Sequence, residues 1–328
     1  MTKIIEFDNI CKDFKISIKG KGLLGAFKGL FKRQHKIINA LKDVSFSVEE
    51  GDIVGYIGPN GAGKSTTIKI MSGILTPTSG KCTINGFTPW KNRKKYVKNI
   101  GVVFGQRSQL WWDVPVRDSF ELLKDIYKIP TEEYKQTLTQ LTNALNLNDL
   151  LERPLRQLSL GQKMKCELAG ALLHKPKILF LDEPTIGLDA VTKLAVRDFV
   201  KYINKTWHTT VILTTHDMSD IDALTNKIIL IGKGQILYNG SFSDIKHKYG
   251  TAKTITVEFA KEYEKVELDG YEIVSHNKNT AVFKTKGEEF NTKDFINLIS
   301  EKYEVTDFSV DLVGVDEILA KLYTEYQI

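Results

Sequence analysis

Long hydrophobic runs are missing from this chain of 328 residues. Its longest uninterrupted apolar stretches, such as those at 178–181 and 228–231, hold only four residues. A helix needs about 20 to cross a bilayer, so no membrane-spanning segment is expected. Cysteine is scarce as well. Cys11, Cys82 and Cys166 are odd in number, widely spaced and form no Cys-x-x-Cys pair. That excludes a disulfide framework and a thiolate zinc site, and points to packing residues in a reducing compartment. The N-terminus, Met-Thr-Lys-Ile-Ile-Glu-Phe-Asp, lacks the charged, apolar, then small-residue progression of a secretory leader, and a cytoplasmic location is the expectation. There is no internal repeat and no low-complexity tract. Acidic residues are absent between positions 17 and 37, where six basic ones fall: Lys19, Lys21, Lys28, Lys32, Arg33 and Lys36. With 46 Lys+Arg against 40 Asp+Glu in all, this segment holds the whole net charge of +6. A body-wide basic surface is therefore excluded, and nucleic acid is not an expected partner.

The length suits one large and one small domain. Short strands are predicted at 4–7 and 44–48, then a turn at Glu50-Gly51-Asp52 and an apolar strand at 53–57. Gly58-Pro59-Asn60-Gly61-Ala62-Gly63-Lys64-Ser65-Thr66 follows, and then apolar residues at helical spacing, Ile68, Met71 and Ile74. Strand, glycine loop and helix together are the context of a phosphate-binding loop of Walker A type. The glycines let backbone N–H groups curl around phosphate oxygens, Lys64 brings a point charge to the β- and γ-phosphates, and the Ser65 hydroxyl is a ligand for Mg²⁺.

From 116 to about 176 the pattern is mostly helical, with Phe120, Leu123, Ile126 and Tyr127 on one face. Buried parallel strands are predicted at 177–181 and 210–214, and a hairpin around Gly232-Lys233-Gly234. The strand Ile178-Leu-Phe-Leu ends in Asp182-Glu183. Two carboxylates at the carboxyl edge of a sheet lie where ligands of α/β proteins bind. Asp182 would hold Mg²⁺ through water, and Glu183 would polarise an attacking water.

Leu158-Ser159-Leu160-Gly161-Gln162 resembles the signature motif of ABC-type ATPases. Gln106 resembles their Q-loop glutamine, Gly187-Leu188-Asp189 their D-loop, and His216 in Thr214-Thr-His their switch histidine. Phe14 stands where the family's adenine-stacking aromatic is found, although a core position would also suit it. The resemblance covers residues 1 to about 245. It implies an α/β P-loop NTPase fold, an ABC-type nucleotide-binding domain over 1–245 with a helical subdomain over about 116–175. It also implies ATP and Mg²⁺ as ligands: 58–66 and Phe14 on the nucleotide, Ser65, Gln106 and Asp182 on the metal, and Glu183, His216 and Gln106 in hydrolysis. Two such cassettes dock head to tail, so Ser159, Gly161, Gln162 and Asp189 are expected at the interface of a homodimer, completing the partner's site. Leu160 replaces the commoner glycine of the signature.

Beyond 250 the texture changes to alternating strands with two helices, a small α+β domain over 251–328, of a ferredoxin-like kind. In the 17–37 insertion, Leu23, Leu24, Phe27, Leu30 and Phe31 fall at helical spacing beside the basic residues. This is either an interfacial helix drawn to anionic lipid or an ordinary surface helix with a solvated basic face. Trp111 and Trp112, just after Gln106, either form a docking groove for a membrane subunit or belong to the subdomain core. The family resemblance implies a peripheral ATPase on the cytoplasmic face of the cell membrane, serving separate permease subunits, most like those of ABC-2-type exporters. An exporter of surface polysaccharide or lipid-linked glycan is the alternative, and a soluble non-transport ATPase a lesser one.

Overall fold

The computed structural model describes residues 2–18, 34–105, 107–215, 217–249, 253–285, 290–312 and 315–326. The chain divides into two units, Met1–Gly240 and Ser241–Ile328, each with its own core.

In the first unit a three-stranded antiparallel sheet is formed by β1 (Lys3–Ile18), β2 (Gln34–Glu49) and β4 (Ser79–Ile84), in the order β2-β1-β4. A six-stranded sheet holds β3 (Ile53–Ile57), β5 (Ile100–Phe104), β6 (Ile178–Asp182), β7 (Thr210–Thr214), β8 (Lys227–Gly232) and β9 (Gln235–Ser241), in the order β5-β6-β7-β3-β8-β9. Strands β5, β6, β7, β3 and β8 run parallel. Both faces of these strands are covered, which is why they read as continuous apolar runs and why 178–181 is buried throughout. Because they share one direction, Phe104, Asp182, Thr214 and Ile57 all end at one edge, and the loops that leave that edge build the site.

Within the antiparallel sheet Phe7 stacks on Phe46 with centroids 4.7 Å apart, and Phe46 in turn lies 5.7 Å from Tyr56 of β3 in the parallel sheet. Helix α1 (Lys64–Met71) buries Ile68, Ile70 and Met71 in the same core. The two N-terminal strands are far longer than the sequence suggests. They pair with each other out to Ile18 opposite Gln34, so residues 15–18 and 34–39 of the stretch between Phe14 and Ala40 are strand. Polar residues such as Lys12, Asp13, Lys15 and Asn39 interrupt the apolar alternation there, and pairing between the two strands carries them. The predicted amphipathic helix around Leu23 to Phe31 lies outside the described residues.

Helix α2 (Arg93–Tyr96) is a single turn ahead of β5; helices α3 (Val116–Tyr127), α4 (Thr131–Leu145) and α5 (Leu160–Leu172) form the second core with Phe120, Leu141, Leu145 and Leu168. Ile126, expected on the apolar face, is exposed. Tyr127 instead stacks flat on His174, with centroids 3.9 Å apart, and His174 Nε2 donates to the Ile100 carbonyl at 2.9 Å. Burial brings the His174 imidazole down to about 4, against the opposing pull of that hydrogen bond. Helices α6 (Ala190–Trp207) and α7 (Met218–Leu224) complete the unit.

The second unit contains α8 (Phe242–Tyr249), β10 (Lys253–Phe259), β11 (Tyr271–Asn277), β12 (Thr280–Thr285), α9 (Thr292–Lys302), β13 (Val305–Leu312) and α10 (Val315–Glu325). Its antiparallel sheet has the order β11-β12-β10-β13. Three strands precede α9, so the chain order is not the split βαβ pattern of a ferredoxin-like domain. Phe295 of α9 meets Phe283 and Tyr271 edge-on at 5.6 and 4.9 Å, and Lys248 of α8 pairs with Glu325 of α10 at 3.5 Å.

Candidate functional site

The phosphate-type loop leaves β3 and re-enters helix at Lys64. Gly63, the residue before α1, has φ +114°, and a Cβ there would stand 2.7 Å from Leu41 Cδ2 and 3.0 Å from the Ala40 carbonyl. Only glycine fits that turn. Lys64 is buried, and its Nζ folds back over the loop, donating to the carbonyls of Gly58 at 2.6 Å and Pro59 at 3.2 Å. Burial lowers the pKa of this ammonium, while the nearby charges of Glu183 and Asp182 pull it up. Thr67 donates to the Gly63 carbonyl at 3.1 Å and meets the Tyr56 hydroxyl at 3.1 Å, so the first turn of α1 is anchored to β3. Ser65 is left exposed beside it.

Asp182 and Glu183 occupy the end of β6. Thr214, opposite Asp182 across the β6/β7 ladder, donates its hydroxyl to Asp182 Oδ1 at 2.6 Å, and Ser65 Oγ lies 3.4 Å from the same oxygen. Glu183 sits at φ +55°, and its N–H donates to the Thr214 carbonyl at 3.0 Å. A left-handed conformation is unfavourable for a residue with a Cβ and persists where neighbours hold it. Gly105 N–H closes the third strand end by donating to the Asp182 carbonyl at 2.8 Å. A cavity of about 290 Å³ opens here, lined by Ser65, Lys69, Ile74, Phe104, Gly105, Arg107, Asp182 and Glu183. Its protein donors for a cation are a hydroxyl and carboxylates, and among the described residues no group of three His, Cys, Asp or Glu side chains gathers. Such a sparse, hard-oxygen set fits Mg²⁺, which keeps several waters and is completed by substrate phosphates.

Ser159, Gly161, Gln162 and Asp189, expected at a dimer interface, stand outside this cavity. Ser159 caps α5, its Oγ accepting from Gln162 N–H at 3.2 Å while Gln162 Oε1 accepts from Ser159 N–H at 2.9 Å. Asp189 caps α6 by accepting from the Thr192 N–H at 2.9 Å and hydroxyl at 2.8 Å, and these bonds hold its carboxyl below the usual range. The two caps are neighbours. Gly161 lies against Thr192 so closely that a Cβ would fall 2.8 Å from Thr192 Cγ2. Ser159, Gly161, Gln162 and Asp189 are thus gathered together, and none of them lines the Ser65–Asp182 cavity.

Phe14 is half-buried on β1, opposite Ile38, with Lys12 Nζ 5.2 Å from its ring centroid. Gln106 and His216 lie outside the described residues. Around position 216 the neighbours are closely tied. Asp217 N–H donates to Thr215 Oγ1 at 2.9 Å, and the fully buried Asp220 accepts from Arg197 Nε at 2.7 Å, Thr215 Oγ1 at 3.1 Å and the Thr185 hydroxyl. Lys193 pairs with Asp217. Trp111 and Trp112 are 41% and 53% exposed, so they are not subdomain core. Arg93, Lys94, Lys95 and Lys98 are exposed, and Arg93 donates to the Gly73 carbonyl.

Residue type and spacing alone do not mark Thr214, the two cavity cations Lys69 and Arg107, or Glu167. The last carried a signal, being a lone carboxylate amid the apolar residues of α5.

Residues 41–186 match the ABC transporter family model. The chain is 30% identical to the ABC transporter ATP-binding protein NatA of Bacillus subtilis, over 66% of this chain and 87% of that one. The linearmycin resistance ATP-binding protein LnrL, also of Bacillus subtilis, is 31% identical over 64% of this chain and 67% of its own length. ABC transporter A family member 1 of Dictyostelium discoideum is 34% identical over 72% of this chain, which spans only 26% of that protein. Among solved structures, the cassette MJ0796, a dimer in a post-hydrolysis state with ADP and phosphate, superposes with a TM-score of 0.61 at 26% identity, over 72% of this chain and 98% of that one. The glycine loop, the paired carboxylates and the capped helix α5 therefore stand in the fold to which such likeness assigns them: the chain belongs to the ABC transporter family, as an ATP-binding and ATP-hydrolysing cassette.

Proposed function

We propose that this chain powers an ABC-2-type exporter, working as a head-to-tail dimer docked on separate transmembrane subunits at the cytoplasmic face of a membrane. The observation that carries this reading is the separation of two half-sites. Ser65, Asp182 and Glu183 line one cavity, while Ser159 at the start of α5 is exposed outside it. Each half has what the other lacks. In the dimer, backbone N–H groups of 58–66 wrap the phosphates of ATP, and Lys64 exchanges the carbonyls of Gly58 and Pro59 for phosphate oxygens. Ser159, Gly161 and Gln162 of the second copy bring a helix N-terminus to the γ-phosphate, with Asp189 beside them at the interface. Glu183 takes a proton from the attacking water, with Gln106 and His216 at the γ-phosphate. Mg²⁺ neutralises phosphate charge when bound, and Ser65, Gln106 and Asp182 are the residues that would hold it. Phe14 offers a face for the adenine.

Export is favoured by likeness to a protein whose name records linearmycin resistance, and the exposed Trp111 and Trp112 offer an apolar surface for a membrane subunit. Glu183→Gln should keep ATP binding and lose at least about a hundredfold in turnover. A near wild-type rate would remove Glu183 from its role. The same variant, extracted from its cells with detergent, should retain a polytopic membrane protein in fixed ratio; ribosomal proteins or DNA in its place would overturn the transporter reading.

A further inference from the structure

Helix α5 carries Ser159 at its tip and, further along, one buried charge. Glu167 is 5% exposed, and its carboxylate faces the segment that follows Gln106 in sequence. It accepts from the Gln109 N–H at 3.1 Å, from the Leu110 N–H at 3.4 Å and from the Ser108 hydroxyl, while its main-chain carbonyl accepts from Gln109 Nε2 at 3.0 Å. Burial pushes this carboxyl up, and the hydrogen bonds from Ser108, Gln109 and Leu110 oppose that push. The same segment is tied to the first turn of α5 and to the turn that precedes it. Lys163 Nζ sits 4.4 Å over the Trp112 ring, and Arg156 N–H donates to the Trp112 carbonyl at 3.1 Å. At its other end, Arg107 lines the cavity of Asp182 and Glu183.

An apolar side chain would fill this place on α5 without the cost of desolvating a carboxylate. What the carboxylate adds is direction: it gathers two N–H groups and a hydroxyl of one loop onto one point of the signature helix. We infer that Glu167 is a positioning residue that makes the rim of the chain's own nucleotide cavity and the Ser159 tip move as one piece. Nucleotide arriving beside Arg107 would then set how Ser159 is presented to the second copy, coupling the two ATP sites. This rests on the head-to-tail dimer proposed above.

The test compares full-length wild type, Glu167→Gln, which keeps the shape and loses one accepting oxygen, and Ser108→Ala, which leaves α5 untouched. ADP binding, the dependence of hydrolysis on MgATP concentration, and MgATP-driven dimerisation in a Glu183→Gln background are measured beside the melting temperature. Coupling predicts ADP affinity within about twofold of wild type in both variants, a Hill coefficient falling toward one, and MgATP needed for dimerisation rising about tenfold. A purely structural role lowers the melting temperature and leaves the Hill coefficient and the dimerisation threshold unchanged, which would overturn the inference. A wild-type chain that hydrolyses MgATP without cooperativity and without dimerising would overturn the head-to-tail reading itself, and this coupling with it.

Discussion

The Thr214 hydroxyl donates to Asp182 Oδ1 at 2.6 Å, across the ladder that pairs the last residues of two parallel strands. It thereby occupies one lone pair of the carboxylate oxygen nearest Ser65 and aims the rest into the cavity. The same residue accepts the N–H of Glu183 at its carbonyl, so one threonine orients both acids. Thr214→Val keeps a β-branched residue in a buried strand and removes only the hydroxyl. The expected result is a folded protein whose hydrolysis needs about tenfold more Mg²⁺ for half-maximal rate, in keeping with the effect of removing a partner that orients a metal-binding group. A magnesium titration with an unchanged midpoint would show that Asp182 needs no such orientation.

Gly161 and Thr192 give a second handle. An added methyl at 161 would press on Thr192, which is itself held by Asp189. Gly161→Ala should therefore disturb both caps at once while sparing the loop around Lys64. Nucleotide binding to the monomer is expected to persist, and MgATP-driven dimerisation in a Glu183→Gln background to fail, by sedimentation or light scattering. Ser159→Ala removes one capping bond of α5, worth about 1 kcal/mol, and should lower the melting temperature by a few degrees besides weakening the dimer. Retained dimerisation in both variants would dissociate these residues from the interface.

Much of this site is legible in the sequence because phosphate chemistry leaves few choices. Gly58 to Ser65 and the Asp182-Glu183 pair announce themselves by residue type next to an apolar strand. What is hidden depends on partners distant in the chain. Thr214 reads as an ordinary strand threonine until β6/β7 register sets it opposite Asp182, and Glu167 means little without Ser108 to Leu110 folded against it. The N-terminal hairpin is under-read for a related reason: β1 and β2 support each other through backbone pairing over residues whose side chains look loop-like. In the second unit the elements are foreseeable from alternation, but their order around the sheet is not, since it follows from which strands share the core with Phe283 and Phe295.

His174 makes a pH prediction that catalysis does not enter. Its imidazole is brought down from 6.5 to about 4 by burial. The folded state therefore favours the neutral ring: that stability is full above pH 6.5 and drains away as pH falls through about 4, amounting to about 3 kcal/mol. His174→Phe preserves the stack on Tyr127 and abolishes the titration. Urea denaturation of this variant should show a shallower loss of stability between pH 6.5 and 4 than wild type, offset by a constant loss of about 1 kcal/mol from the missing bond to Ile100. Parallel curves would mean that His174 does not titrate on unfolding.

Asp217 titrates in a lower window. Burial pushes its carboxyl up, but the hydrogen bonds from Lys193 and Ser219 and the Lys193 charge outweigh that and bring it down from 3.8 to about 2. A depressed carboxyl stabilises the fold at pH values above 3.8 and ceases to do so as pH falls through about 2, a change of about 2 kcal/mol at most. Lys193→Met removes the largest favourable contact while keeping an unbranched stem on α6. Acid unfolding of the variant should begin at higher pH, and the slope of stability against pH between 3.8 and 2 should flatten. Because Asp217 is bonded to Thr215, the same change should loosen the chain at Thr215 and Asp217, the two neighbours of position 216 in sequence. Hydrolysis is then expected to fall several-fold at pH 7, where the protein is fully folded, with the apparent KM for ATP nearly unchanged. If stability shifts with pH as described and kcat does not move, the Lys193–Asp217 pair supports the fold without acting on hydrolysis.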